Sequence, residues 1–274
     1  MTIEALFSEP TNLPNIPKVI RTLIEQFNNS DSSADDISKN IQMDQVLSAK
    51  IMRLANSARY GVGRKVVSID SAVVLLGIDS LKTLVIASGV TGAFKDIEGF
   101  DKKEFWRDSF MVASISKVIA KHTQCDPETA FTCGMMHNIG ELLIRMAEPE
   151  QASKIDNLVK EGAIKAKLQE NQFSYNFADV SAELIKRWNF PLEIVSAVKQ
   201  QIDPNEVEIY SPYSGIIYIA NYLNDAFKRN KEPDTVLTEF PINIAKPLNI
   251  NLVSFFEALV DLTKAEDDIE DIIA

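Results

Sequence analysis

The amino-acid sequence predicts an all-α protein. Apolar residues recur at helical spacing along most of the 274 residues, as expected for helices that bury one face. Several of these runs are preceded by residues that favour the start of a helix. Alternating segments are short and isolated, and they do not form the series of strands and hairpin turns that a β protein needs.

The first predicted helices lie between residues 33 and 58. Ser33 and Asp36 resemble a capping box, in which two side chains satisfy free backbone groups at a helix start. Asp44 can cap the next helix, in which apolar residues are spaced by four, three and four positions. These residues are Leu47, Ile51, Leu54 and Ala58.

Two further helices are predicted on either side of Gly77. Ser68 can open a helix that runs through Leu76, and Gly77 ends it because glycine adopts the backbone conformation of a helix end at little cost. Asp79 then starts another helix through Val85.

The middle of the chain continues the helical pattern. Residues 104–121 carry an apolar stripe broad enough for a helix that is buried on most of its circumference. Asp126 and Pro127 begin another helix that runs to His137, since the acid caps it and proline there loses no hydrogen bond. Apolar spacing suggests two more helices, at residues 180–188 and 192–198.

The C-terminal part is predicted to be a short helical extension. Asp203-Pro204-Asn205 is a plausible boundary, which divides the chain into residues 13–204 and residues 205–274. Within the extension we expect a helix at 211–228, an irregular stretch at 231–250 that is rich in Pro and Asn, and a last helix at 251–264. An acidic tail follows.

Charge and composition restrict the class of protein. Lys and Arg number 28 and Asp and Glu 39, so the formal net charge is 28 − 39 = −11. An acidic surface argues against general binding of nucleic acid or of a membrane, although a local basic patch is compatible with it. The start of the sequence lacks an export signal, and no apolar run approaches the ~20 residues that span a bilayer. We therefore expect a cytoplasmic protein, in which Cys125 and Cys133 are inert thiols.

His137 is one of only two histidines, and it lies in the segment Gly-Met-Met-His-Asn-Ile-Gly. This segment looks like a metal-binding helix of a phosphohydrolase, in which an Asp ligand normally follows the His. Here Asn138 follows, and a neutral amide is a poorer ligand than a carboxylate. The other imidazole, His122, lies near a helix end and is expected to be solvated. Because a metal shell needs several imidazoles and carboxylates, we expect neither a metal nor another cofactor.

A second candidate site is a cluster of positive charge that could hold a phosphate or an acidic partner. It comprises Arg53, Arg59, Arg64 and Lys65. The alternative interpretation, without a binding function, is a solvated helix face and loop. The adjoining residues Asn56, Ser57, Tyr60 and Gly61 are interpreted as a helix end that turns the chain. The functional alternative for these four residues is contact with a partner protein.

Six stretches form a pattern that extends well beyond His137. They are Leu13-Pro14-Asn15-Ile16-Pro17, Ile51 to Gly61, Ser68 to Gly77, Phe105 to Ser109, Gly134 to Gly140, and Arg187-Trp188-Asn189-Phe190-Pro191. Over residues 13–204 this pattern resembles the HDOD family, the HD-related output domain of bacterial signalling proteins. The resemblance implies an HD-like helical bundle with an N-terminal helical subdomain. It also implies a role in regulation.

Departures from the HD phosphohydrolases also favour regulation over hydrolysis. Asp108 stands where those enzymes carry their first metal-binding His, and Asn138 replaces the ligand Asp. Asn176-Phe177 lies where many relatives have Asp-His, and Gln200-Gln201 where they often have two histidines. The resemblance therefore implies a vestigial pocket that contains Asp108, His137, Asn138 and Asn176.

Three functions remain open from the sequence. The first is a non-catalytic regulatory module that binds another signalling protein. The second is a metal-dependent phosphohydrolase that acts on a nucleotide or cyclic nucleotide with a reduced ligand set. The third is a nucleotide sensor without turnover. Binding of RNA or DNA is disfavoured by the net charge of −11.

Overall fold

The structure is a computed structural model that describes residues 2–8, 14, 16–27, 32–56, 65–252 and 254–255, with the backbone alone at residue 79. The described residues form helices and no strands, which confirms the all-α prediction. The helices are α1 (Ile3–Leu6), α2 (Lys18–Phe27), α3 (Ala34–Gln42), α4 (Gln45–Ala55), α5 (Ile69–Ala93), α6 (Lys102–Lys121), α7 (Pro127–Met136), α8 (Gly140–Ala147), α9 (Pro149–Lys160), α10 (Lys165–Phe173), α11 (Phe177–Arg187), α12 (Leu192–Gln200), α13 (Pro212–Lys228), α14 (Pro233–Thr238) and α15 (Ile242–Ala245), followed by a 3₁₀ turn, Lys246–Leu248.

The described residues divide into two compact units. The smaller unit takes residues 14–95 and contains α2 to α5, and the larger unit takes residues 2–8 and 96–255. Helix α13 follows residue 204 and packs against α6, α7 and α12 of the larger unit. The boundary at residue 204 that the sequence suggests stays a prediction.

In the smaller unit, the predicted helix starts are confirmed. The side chains of Ser33, Asp44 and Ser68 each accept a hydrogen bond from a backbone N–H three residues later, so they cap α3, α4 and α5. Helices α2, α3 and α4 all pack against α5, which supplies the centre of this unit. Leu47, Ile51 and Leu54 are buried there, as their spacing predicts.

Gly77 breaks α5 into two segments, as the sequence predicts. Its φ of 74° and ψ of 160° lie outside the helical region, and a side chain at this φ would be strained. The segments Ile69–Ile78 and Ser80–Ala93 meet at 105°. Over the described ranges, no single helix is long and apolar enough to cross a membrane, although this bent pair together meets the criteria of length and composition.

In the larger unit, α6 and α7 form a closely packed pair. A Cβ atom built on Gly134 of α7 would lie 2.6 Å from the Cα of Ala113 on α6, so only glycine permits this approach. Phe110 and Phe131 meet edge to face between the same helices. Helix α13 packs against both α6 and α7.

Several helices were not predicted from the sequence. Helix α9 buries only Ala152 and Ile155, so its apolar stripe is too narrow to show in the sequence. Residues 231–250, expected to be irregular, contain α14, α15 and the 3₁₀ turn. Pro233 and Pro247 lie in the first turns of two of these elements, where a missing N–H is tolerated. The helix expected at 251–264 falls mostly outside the described residues.

Candidate functional site

The candidate site is a cleft of about 1010 Å³ within the larger unit. Helix α6, the turn between α7 and α8, helices α9 and α10, the end of α12 and helix α13 all contribute to its walls. Asp108, His137 and Asn138 line this cleft together, as the sequence suggests, whereas Asn176 is not among the lining residues. The volume would accommodate a small molecule or a short segment of a partner.

His137 lies at the C-terminal end of α7 and is buried. Its Nδ1 is 2.6 Å from the carbonyl oxygen of Gly134. Because a carbonyl only accepts, Nδ1 carries the proton, and Nε2 is left as the acceptor. Burial lowers the pKa of His137 to about 4, against the opposing effects of the Gly134 carbonyl and of the Asn221 side chain on α13. The imidazole is therefore neutral, and its Nδ1 is engaged by the backbone of α7.

Asn138 is held by Ser109 of α6. The hydroxyl oxygen of Ser109 lies 2.8 Å from the carbonyl oxygen of Phe105 and 3.0 Å from Oδ1 of Asn138. Ser109 is buried, so this contact fixes the amide against the wall of the cleft. An amide in this place adds no negative charge, which a divalent cation would need.

Asp108 is neutralised by a lysine from a distant part of the chain. Nζ of Lys228, the last residue of α13, lies 2.6 Å from Oδ2 of Asp108 and 3.3 Å from Oε1 of Glu104. Burial disfavours the charge on Lys228, but the hydrogen bonds and charges of the two carboxylates outweigh it and raise the pKa of the lysine. Lys228 therefore already pairs with the carboxylate that a metal ion would need as a ligand.

Asn176 serves as a helix cap. Its Oδ1 accepts from the backbone N–H groups of Ala178 and Asp179, and its Nδ2 donates to Oε1 of Glu170 at 2.7 Å. The carboxylate of Asp179 accepts a hydrogen bond from the backbone N–H of Asn176, which completes a capping box at the start of α11. The amide is fully used in this local role. Its membership of a functional pocket stays a prediction.

The opposite end of the cleft holds a charged network that was not predicted from the sequence. Glu141 is buried and contacts Arg145 at 3.0 Å, Lys165 at 3.3 Å and Gln169 at 2.7 Å. Arg145 also pairs with Asp156, whose pKa is lowered because the two cations outweigh the effect of burial. Two carboxylates and two cations therefore balance within a single cluster. Only a structure shows this, because the partners come from α8, α9 and α10.

Gln201 joins the end of α12 to the turn that carries His137. It is only 3% exposed, and its Nε2 donates to the carbonyl oxygens of His137 and Val198, each at 2.7 Å. These two acceptors fix the amide orientation, and Oε1 has no hydrogen-bond partner among the described residues. Gln201 thus supports the backbone of His137 at a position where relatives often carry a histidine.

The structure describes part of the predicted basic cluster. Arg53 and Lys65 are exposed, while Asn56 donates to the carbonyl oxygens of Met52 and Val66 and accepts from the N–H of Val66. This confirms that Asn56 closes the end of α4. Ser57, Arg59, Tyr60 and Arg64 lie outside the described residues, so the cluster as a whole stays a prediction.

The second histidine and the two cysteines lie apart from these groups. His122 ends α6, is partly buried, and places Nδ1 3.1 Å from the hydroxyl of Ser254. Burial raises the pKa values of Cys125 and, more strongly, of Cys133. High thiol pKa values are typical of unreactive cysteines.

The residues in the cleft do not fit a hydrolytic metal centre. The predicted pocket offers one carboxylate, which is paired with Lys228, a single imidazole, and amides. Among the described residues, no three His, Cys, Asp or Glu side chains are grouped as a metal shell would require. No catalytic step through a metal follows from this arrangement.

Comparisons with known proteins agree with the fold and with the resemblance in sequence. A candidate phosphohydrolase from Shewanella amazonensis SB2B is 36% identical, with a TM-score of 0.85 over 98% of each chain. An HDOD domain protein of unknown function from Geobacter sulfurreducens is 23% identical, with a TM-score of 0.74 over 94% of this chain and 93% of that one. At that identity the likeness shows the fold alone.

Two further relatives are longer than this chain. A candidate signal transduction protein from Marinobacter aquaeolei VT8 is 18% identical, with a TM-score of 0.79, over all of this chain and 61% of that one. An uncharacterized protein from Treponema pallidum (strain Nichols) is 25% identical over 90% of this chain, which spans only half of that relative. The HDOD domain model matches residues 13–204. The chain belongs to the HDOD domain family.

Proposed function

We propose that this protein is a non-catalytic regulatory module that acts in signal transduction by binding another protein. The observation that carries this proposal is the ion pair between Asp108 and Lys228 at 2.6 Å. It supplies the positive charge that a metal would otherwise bring to this carboxylate. Asn138 supports the same conclusion, since its neutral amide is held by Ser109 and adds no charge for a cation.

The relatives are consistent with such a role without deciding it. One structural neighbour bears the name of a signal transduction protein and another that of a phosphohydrolase. The second name supports an alternative function, which is metal-dependent hydrolysis of a nucleotide or cyclic nucleotide. That alternative requires a cation to displace Lys228 from Asp108 and to be held with only one imidazole.

Metal content and turnover distinguish the two functions. We expect protein purified without chelator to contain substoichiometric iron, manganese and zinc by elemental mass spectrometry. We also expect no hydrolysis of bis-p-nitrophenyl phosphate or of cyclic dinucleotides when Mn²⁺ is added. Stoichiometric metal, together with turnover that Asp108→Ala or His137→Ala abolishes, would establish the enzymatic alternative.

A matched variant tests the reasoning about Lys228. The double substitution Asn138→Asp and Lys228→Ala restores a carboxylate and frees Asp108, so it should bind Mn²⁺ more tightly than the wild type. Asn138→Asp alone is the control, because it leaves the lysine in place. Equal metal affinity for the double variant and this control would show that Lys228 does not compete with a cation.

A further inference from the structure

The first turn of α10 forms part of the cleft wall and leaves backbone donors without acceptors. Ile164 is the N-cap residue of this nine-residue helix, and its side chain makes no capping hydrogen bond. The backbone N–H groups of Lys165, Ala166 and Lys167 have no acceptor among the described residues. All four residues line the cleft. Free N–H groups and the dipole of the helix favour an anion at such a turn.

The cations that line the cleft are concentrated at the same end. There are four, all from α8, α9 or α10, namely Arg145, Lys160, Lys165 and Lys167. Six carboxylates line the cleft, but only Glu141 and Asp156 come from these three helices. The lining residues of α8, α9 and α10 therefore carry 4 − 2 = +2, whereas the four charged residues of the other walls are all acidic. An anion in the cleft would be attracted to the α10 end.

Two of these lysines, Lys160 and Lys167, have no carboxylate partner. Both are exposed, and neither forms an ion pair among the described residues. The two carboxylates of this end are already paired with the other two cations. Glu161 and Glu170 are close to the lysines in the chain, but neither lines the cleft, and Glu170 accepts a hydrogen bond from Asn176. Both lysines are therefore available to an anion.

Buried side chains of the cleft wall also have polar atoms that no partner satisfies. Arg145 is only 9% exposed, and it shares both of its carboxylate partners, Glu141 and Asp156, with Lys165. Its guanidinium therefore lies beside the first residue of α10, and its Nε has no hydrogen-bond partner among the described residues. Gln201 lines the same cleft, is 3% exposed, and has an Oε1 that likewise accepts no hydrogen bond from them. A buried polar atom without a partner is destabilising, and a ligand is one way to supply the missing group.

We propose that the start of α10 binds the phosphoryl group of a small molecule, either free phosphate or the end of a phosphate ester. Three adjacent N–H groups match the oxygens of a phosphoryl group, and Lys160 and Lys167 supply positive charge. The cleft of about 1010 Å³ has room for the organic part of an ester, on which an N–H or O–H would satisfy Gln201. The inference goes beyond the proposed function and does not rest on it, because neither a metal nor a partner protein takes part.

Titrations of the full chain, treated with EDTA and kept at constant ionic strength, test this inference. The probes are inorganic phosphate, phenyl phosphate and acetate, and binding is followed by ¹H–¹⁵N NMR. We expect phosphate to shift the amide resonances of Lys165, Ala166 and Lys167 with saturation, and acetate to bind at least about tenfold more weakly, because a carboxylate has fewer oxygens and less charge. Phenyl phosphate identifies the source: tighter binding than inorganic phosphate indicates an ester, and equal or weaker binding indicates free phosphate.

Substitution of the N-cap residue tests the backbone donors. Ile164→Asp places a carboxylate where it can accept from the free N–H groups, so it should cap α10, fold normally, and weaken phosphate binding by about tenfold or more. Ile164→Ala leaves the N–H groups free and should bind phosphate as the wild type does. Because Ile164 is 57% exposed, neither substitution opens a cavity in the core.

Two pairs of lysine substitutions test the charge. Lys160→Gln with Lys167→Gln should weaken phosphate binding by about tenfold or more, because two charge-assisted hydrogen bonds are lost. Lys154→Gln with Lys199→Gln is the matched control, since it removes the same charge from exposed residues that do not line the cleft. It should change the affinity by less than about twofold, because salt screens distant charges.

The inference is overturned if no saturable shift occurs at residues 165–167 or if phosphate and acetate bind equally well. It is also overturned if either Ile164→Asp or the variant of the two cleft lysines retains the affinity of the wild type. Circular dichroism checks that each variant is folded, as expected for substitutions at exposed positions. The assay contains no free metal and leaves Asp108, His137 and Asn138 unchanged, so its failure is distinguishable from failure of the proposed function.

Discussion

Burial of His137 makes the stability of the protein depend on pH in a defined window. Burial lowers the pKa of this imidazole from 6.5 to about 4. As the pH falls, the unfolded chain therefore takes up the proton before the folded protein does. The stabilising contribution of the neutral His137 imidazole to the free energy of unfolding is fully present above pH 6.5. It declines between pH 6.5 and pH 4, and below pH 4 no further stability is lost. The full difference corresponds to about 3 kcal/mol, since one pKa unit is worth about 1.4 kcal/mol.

Urea unfolding followed by circular dichroism measures this effect. Between pH 7.5 and pH 5.5, the linkage relation gives a loss of about 1.3 kcal/mol in the free energy of unfolding from His137 alone. His137→Gln does not titrate, so it should lack this part of the loss. His122→Gln retains His137 and should lose as much as the wild type. The reasoning is refuted if the wild type and His137→Gln lose equal stability over this interval.

Two substitutions test the packing and the capping around the site. Gly134→Ala places a Cβ 2.6 Å from the backbone of Ala113, so we expect a loss of about 1–3 kcal/mol or more in the free energy of unfolding. Gly92→Ala meets nothing within 4 Å and should be neutral or stabilising, and equal effects of the two would contradict the close approach of α6 and α7. Asn176→Ala removes the cap of α11 and should cost about 1–2 kcal/mol, whereas Asn176→Ser keeps an acceptor and should recover most of it. A loss for Ser as large as that for Ala, in the same urea titration, would show that the cap is not the source.

Signals that act within one or two turns of the chain were predictable from the sequence. The caps at Ser33, Asp44, Ser68 and Asp126 and the break at Gly77 are local, because each depends on side chains and backbone groups a few residues apart. Helices with a broad apolar stripe, such as α6, were predicted for the same reason. Helix α9 has only a narrow apolar stripe, which does not predict a helix. The prolines at residues 231–250 predict irregular structure, although two of them lie in the first turns of short elements.

The partners of the site residues were not predictable in this way. Lys228 and Asp108 are 120 residues apart in the chain, and no local pattern in either helix marks the other. Asn221 approaches His137, and Gln201 supports its backbone, because α12 and α13 pack against the α6–α7 pair. Asp179, three residues after Asn176, indicates a cap at Asn176, whereas the resemblance to relatives assigns this residue to a pocket.

By itself, the sequence determined that this chain is helical, where most of its long helices begin, and that imidazoles are too few for the usual metal shell. Those properties follow from residue type and short-range spacing. Only the tertiary structure decided that Lys228 neutralises Asp108, that Gln201 supports the backbone of His137, and that Asp156 and Lys165 close a charged network around Glu141 and Arg145. These contacts join residues that are distant in sequence, and they exist because helix packing brings their side chains into one cleft.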